Sequence, residues 1–210
     1  MLLVNEVTRA TDLELLAVVL GNRRTAAQLL KHAGGSLFNL LHAVPHQNED
    51  LFCAQGSSIY GSDPIVRLQA ARELAARAIV EDLRGRDCLT SPAGVRDFLK
   101  LRLAGLPHEV FVCIQLDAQH RVIAIEELFR GTLTQTSVYP REVVKASLRA
   151  NAAAVIFAHN HPSGIAQPSQ ADEFLTRTLK EALALVDVKV LDHFIVAGTQ
   201  TLSFAERGLI

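Results

Sequence analysis

The sequence predicts a small all-α domain followed by a mixed α/β (α+β) domain, on three observations. Apolar residues recur at helical spacing through residues 1–86. From Glu109 the period shortens to that of strands. Beyond Pro140, helical and strand-like segments alternate to the end of the chain. The expected domains are therefore 1–86 and 87–210, the second of about 120 residues and large enough for its own core.

In the first domain, Thr11 with Glu14 forms a capping-box pattern ahead of Leu15, Leu16, Val18 and Val19, and Gly21 closes that helix. A second helix spans Arg23 to Ala33 and stops at Gly34-Gly35; Ser36 caps a short third one through Leu41. Residues 45–62 are polar and rich in Gly and Ser, the composition of a loop. Asp63-Pro64 is a cap followed by an N1 proline, whose missing N–H costs nothing at that position. Ile65, Leu68, Ala71, Leu74, Ala75, Ala78 and Ile79 then repeat at helical spacing up to Gly85.

Residues 86–91 read as a linker, and Ser91-Pro92 repeats the cap-plus-proline signal for a helix ending at Gly105. Glu109 to Leu116 and Arg121 to Phe129 are two strands joined by the turn Asp117-Ala118-Gln119-His120. A further strand is expected near Thr132 to Val138, a helix from Pro140 to Asn151, and a buried strand at Ala153 to Ala158. A helix over Ser169 to Val186 and a strand over Val188 to Val196 complete the expected order.

Charge narrows the function. Lys and Arg number 21 against 22 Asp and Glu, and residues 1–88 hold 9 basic and 10 acidic side chains against 12 and 12 in 89–210. Neither half is a cationic body that would bind nucleic acid by charge alone. Cys53, Cys88 and Cys113 are odd in number and far apart, which fits a reducing cytoplasm and offers no paired-cysteine metal motif. The apolar start is broken by Glu6, Asp12 and Glu14, and its longest apolar run, Leu15 to Leu20, is far below the roughly 20 residues of a membrane span. A soluble, cytoplasmic protein with no membrane partner is expected.

The chemistry concentrates between Ala158 and Asp172. His159 and His161 are two apart, so on a strand both rings face one side. Pro162 ends that strand, Gly164 permits a reversal, and Ser169 begins the next helix with Asp172 in its first turn. Two imidazoles and a carboxylate with an open fourth position are what hydrolytic zinc requires. Ser169 with Asp172 also fits a helix cap, and a first-turn carboxylate can serve both ends.

His159-x-His161, seven residues, then Ser169-x-x-Asp172 resembles the JAMM signature of MPN-domain metalloproteases. The string from His159 to Gly164 (HNHPSG), Gly131-Thr132, Pro140-Arg141-Glu142 and Leu191-Asp192-His193 look specifically like the RadC family, over residues 89–210. The resemblance implies a mixed-sheet domain related to the cytidine-deaminase architecture, with a catalytic zinc ion (Zn2+) held by His159, His161 and Asp172. It also implies an upstream glutamate at a strand start following a helix, which selects Glu109 as general base over Glu126 and Glu127. Ser169 would donate to the tetrahedral oxyanion. The implied activity is a zinc metallopeptidase-like hydrolase cleaving a peptide or isopeptide bond in a protein or peptide substrate, with a link to DNA repair. A deaminase is set aside, since no P-C-x-x-C is present.

Several neighbours carry less weight. Asn160 faces away from the two histidines and fixes backbone geometry; His193 is either a buried structural residue or a group behind the site. Arg141 is an exposed ion-pair partner or an anion ligand, and Cys113 is core.

The family also places a DNA-binding helix-hairpin-helix-like segment ahead of the metal domain. Residues 57–80 resemble it loosely, with the turn reduced to Tyr60-Gly61-Ser62-Asp63 and no basic residue there. A packing or partner-docking role for residues 1–86 is therefore favoured over DNA binding. The alternative function is a DNA-associated accessory protein whose metal domain is structural or regulatory.

Overall fold

A computed structural model describes residues 4–42, 63–88, 92–131 and 138–210. The expected loop at 45–62, the hairpin-like turn at Tyr60 to Ser62, Cys53, the Ser91 cap, Thr132 and nearly all of the strand expected near Thr132 to Val138 lie outside them. Two compact units divide inside one helix, the first reaching Ala75 and the second spanning Ala76–Ile210.

After a 3-10 turn at Val4–Arg9, the first unit consists of α1 (Asp12–Leu20), α2 (Arg23–His32), α3 (Leu37–His42) and the start of α4 (Pro64–Gly85). Local chemistry sets these ends. The Thr11 hydroxyl accepts from Glu14 N while Glu14 Oε2 accepts from Thr11 N at 2.8 Å, the reciprocal capping box. Gly21 closes α1 at φ 69, a conformation that costs a side chain steric strain. Asn22 caps α2, Ser36 Oγ accepts from Asn39 N at 3.1 Å, and Asp63 Oδ1 accepts from Ile65 N at 2.8 Å. Leu16, Leu20, Ala26, Leu29, Leu40 and Leu68 form the core of this unit.

The second unit holds α5 (Pro92–Leu103), β1 (Val110–Leu116), β2 (Val122–Arg130), α6 (Pro140–Arg149), β3 (Ala154–Asn160), α7 (Gln170–Ala184), β4 (Lys189–Ala197) and β5 (Gln200–Ser203). Among the described residues the strands form one mixed sheet in the order β2-β1-β3-β4-β5, in which only β3 and β4 run parallel. That parallel pair is what makes α7 a crossover connection. The hairpin expected from the sequence is present: Asp117 Oδ1 accepts from Gln119 N and Arg121 N, and His120 takes the left-handed φ of 56. β5 adds a strand beyond those the sequence predicts; it follows a reversal at Gly198, φ 56.

β1 and β3 are buried at all seven positions, the signature of a sheet covered on both faces. Phe111, Cys113, Val155 and Phe157 share a core with Val143 of α6 and Leu179 and Leu183 of α7. Side-chain alternation along β3 puts His159 on that same face, next after Val155 and Phe157. β3 runs to Asn160, two residues beyond the expected Ala158, because the backbone pairing with β4 continues and His161 N still donates to Val196 O at 2.9 Å. No helix among the described residues is long and apolar enough to cross a membrane.

Candidate metal centre

The site forms where β1 begins, β3 ends and α7 begins. Glu109 immediately precedes β1, and its carbonyl accepts from Gly131 N at 2.8 Å. His159 lies near the end of β3 and His161 just past it. Gly164, at φ 78, closes the turn in which its N–H donates to His161 O at 3.1 Å. That turn brings Ile165 O to 2.9 Å from His161 Nδ1, so Nδ1–H is the donor and Nε2 is left facing the cleft.

Ser169 is the N-cap of α7. Its Oγ accepts from Asp172 N at 3.2 Å, while Asp172 Oδ2 accepts from Ser169 N and from Ser169 Oγ, both at 2.7 Å. The cap aims the Asp172 carboxylate back over the helix start towards the histidines. His159 Nε2 is 2.9 Å from His161 Nε2 and 3.3 Å from Asp172 Oδ1, and His161 Nε2 is 3.6 Å from Asp172 Oδ2. Glu109 Oε1 stands 3.9 Å from His159 Nε2. Ligand atoms of all four residues lie within 4.8 Å of one another.

Two ligands each about 2 Å from a shared ion stand no more than about 4 Å apart. The two histidines and Asp172 satisfy that limit with room to spare, and Glu109 sits at its edge. Two imidazole nitrogens with carboxylate oxygens suit a divalent cation of borderline softness. The donor set fits a metal ion. Electrostatics agree: burial would raise Asp172, but hydrogen bonds with His159 and His161 overcome it and hold the carboxyl well below its ordinary range. The same Asp172 contact raises His161 against the opposing effect of its burial.

These groups open on a cavity of about 620 Å³ whose walls include Phe111, Val138, Pro140, Phe174 and Leu175. Ser169 also lines it.

A match to the RadC-like JAB domain covers residues 89–209, every strand and every site residue named above. The chain belongs to the RadC family. Its RadC relatives extend the similarity through the helical N-terminal unit. One UPF0758 protein from Nitrosomonas eutropha is 56% identical over 97% of this chain and 91% of its own length. Another from Leptothrix cholodnii is 55% identical over 95% and 90%, and one from Dechloromonas aromatica 56% identical over 95% and 89%. The mixed α/β fold with a helical N-terminal region is thus the JAB/MPN arrangement of the RadC family.

The remaining residues sort by position. Glu126 pairs with Arg149 at 2.9 Å and Glu127 with Arg130 at 2.7 Å, both on β2 and outside the cluster. Arg141 is exposed and 3.2 Å from Glu142. Cys113 is buried in the sheet core, which pushes its thiol upward. Asn160 faces the other way and joins β3 to the segment before β1, donating to His108 O at 2.9 Å and accepting from Val110 N at 2.8 Å. His193 is both buried and behind the site: Nε2 is 2.9 Å from His159 Nδ1. Thr176 lies 2.7 Å from His193 Nδ1. Its only sequence signal is a position one helical turn after Asp172.

Proposed function

We propose that this RadC-family protein is a zinc-dependent hydrolase of the JAMM type that cleaves a peptide or isopeptide bond. The observation that carries this reading is the convergence of Glu109, His159, His161 and Asp172 at the mouth of one cavity. His159, His161 and Asp172 would hold the metal. Zinc bound there would polarise the scissile carbonyl and lower the pKa of a water to about 7.

The chain's own groups do the rest. Glu109 Oε1, at the edge of the cluster, takes a proton from the attacking water and delivers it to the leaving amine nitrogen. Ser169 Oγ accepts from Asp172 N as a cap, so its hydroxyl hydrogen is free to turn from Asp172 Oδ2 towards the developing oxyanion. Phe111 and Leu175 line the cavity beside the cluster and lower the polarity against which these groups act. A cytoplasmic setting suits this reading, with Cys88 and Cys113 as free, buried thiols.

The test is zinc titration of the full chain together with hydrolysis of a peptide and isopeptide library. Glu109→Gln should bind zinc as the unmodified protein does and lose about 100-fold or more in turnover. Full turnover in that variant removes Glu109 as the base; failure of the unmodified chain to bind zinc removes the whole reading.

A further inference from the structure

Behind the cluster runs a closed chain of contacts. Thr176 Oγ1 lies 2.6 Å from Asp172 O and 2.7 Å from His193 Nδ1; His193 Nε2 lies 2.9 Å from His159 Nδ1. Each contact is short enough to need one hydrogen between its heavy atoms. The Asp172 carbonyl has none to give, so the Thr176 hydroxyl donates to it. Thr176 Oγ1 can then meet His193 Nδ1 only as an acceptor, which places the hydrogen on His193 Nδ1. The His193 ring is fully buried, with Phe111, Phe157 and Phe204 edge-on or tilted-edge against it at centroid distances of 5.6, 5.9 and 4.9 Å. A neutral imidazole is favoured in such surroundings. His193 Nε2 therefore carries no hydrogen and accepts from His159 Nδ1–H.

From this we infer that Thr176 and His193 are positioning residues that lock His159 in its Nδ1–H tautomer, so that the bare Nε2 is delivered to a divalent cation. Backbone contacts hold the relay in place. His193 N donates to Asp192 Oδ1 at 2.7 Å, and Phe204 N donates to His193 O at 2.9 Å. His161 reaches the same state independently through Ile165 O. His159 Nε2 and His161 Nε2 then face each other 2.9 Å apart, close enough to need one proton between them, and a divalent cation bound there would displace that proton. The direction of the relay also matters. If Thr176 donated to His193 instead, every hydrogen in the chain would reverse and His159 Nε2 would carry one, blocking it as a ligand.

The inference rests on the proposed metal centre, and its test separates the two. Imidazole nitrogen NMR of the full chain at mildly alkaline pH, without added metal, should show His159 and His193 both protonated at Nδ1. Thr176→Val removes the acceptor for His193 Nδ1–H with little change of shape. It should shift His159 towards the Nε2–H tautomer and weaken zinc binding roughly 10–100-fold, the range for loss of an outer partner. Thr176→Ser should restore both. An Nε2–H tautomer of His159 in the unmodified chain overturns the inference, as does a Thr176→Val protein that is folded and binds zinc unchanged. If the unmodified chain binds no zinc but shows the Nδ1–H pair, the relay stands and the metal reading fails.

Discussion

Asn160 accepts a hydrogen bond from the backbone N–H of Val110 at 2.8 Å, one residue beyond Glu109. Its amide also donates to His108 O at 2.9 Å, so the residues on both sides of Glu109 hang from one buried side chain. Asn160 itself sits between His159 and His161, which point to the opposite face. One dipeptide step of β3 therefore sets the two imidazoles on one side and the backbone of Glu109 on the other.

Asn160→Ala should uncouple these functions. Two backbone groups lose a buried partner, and stability should fall by about 1–3 kcal/mol in chemical denaturation. Zinc affinity should change little while peptide turnover drops, because Glu109 is displaced and the three ligands are not. Equal losses in both measurements would show that Asn160 orders the ligands as well.

The two functions of Asp172 should also separate. Asp172→Asn keeps an amide oxygen to accept from Ser169 N, so the start of α7 should persist, while thermal stability at neutral pH should fall because the contacts with His159 and His161 that hold the carboxyl low are lost. Zinc affinity should fall by more than the roughly 10–100-fold expected of an outer partner. Ser169→Ala should cost about 1 kcal/mol as a lost cap while zinc still binds. Thermal melts with and without zinc distinguish the two patterns.

Asp192 predicts a pH dependence. It accepts from His193 N, Ala205 N and Ser203 Oγ at 2.7, 2.9 and 2.6 Å, yet burial outweighs these bonds and raises its carboxyl above the ordinary range. A group with a raised folded-state pKa contributes stability fully below its unfolded value and loses it as pH rises through the folded one. Asp192→Asn should flatten that fall just above the ordinary carboxylate range. Asp192→Ala, which abandons all three donors, should cost roughly 2–3 kcal/mol at neutral pH. Urea titrations across pH measure both.

Cys88 should be inert in the native state. Burial, reinforced by Asp87 and Asp117, pushes its thiol up to about 11. Alkylating reagents at neutral pH should leave Cys88 and Cys113 unlabelled until the chain is unfolded, as read by mass spectrometry. With the folded pKa above the unfolded one, the contribution of Cys88 to stability is complete below the ordinary thiol value and lost as pH rises towards 11. Rapid labelling of Cys88 in the folded protein at neutral pH would contradict this.

Local signals made much of this molecule legible. The caps at Thr11, Ser36, Asp63 and Ser169 act within three residues, and such short-range chemistry is written directly in the sequence. His159, His161 and Asp172 were readable for the same reason: strand alternation and one helix start place all three. Glu109 was not separable from Glu126 and Glu127 by periodicity, since all three lie on or beside β-strands; the family resemblance chose it. What escaped is non-local. The His193–Thr176 contact joins a strand to a helix across 17 residues of chain, and Thr176 looks like any small residue on a helix face. β5 is four residues long and too short to show a period.

Asp172 and Thr176 are four residues apart on α7, so one turn of helix places one at the front of the cluster and the other at its back. The centre is therefore a clamp whose two jaws share a single rigid hinge pin. Residues 166–168, beyond the Gly164 turn that holds His161, can be lengthened at an entropic cost that grows only logarithmically. A single residue inserted between Asp172 and Thr176 would instead swing Thr176 about 100° around the helix axis, away from His193. Anyone transplanting this centre into another scaffold must move that turn of helix and the turn from His161 to Ile165 whole, while the residues between them can be rewritten.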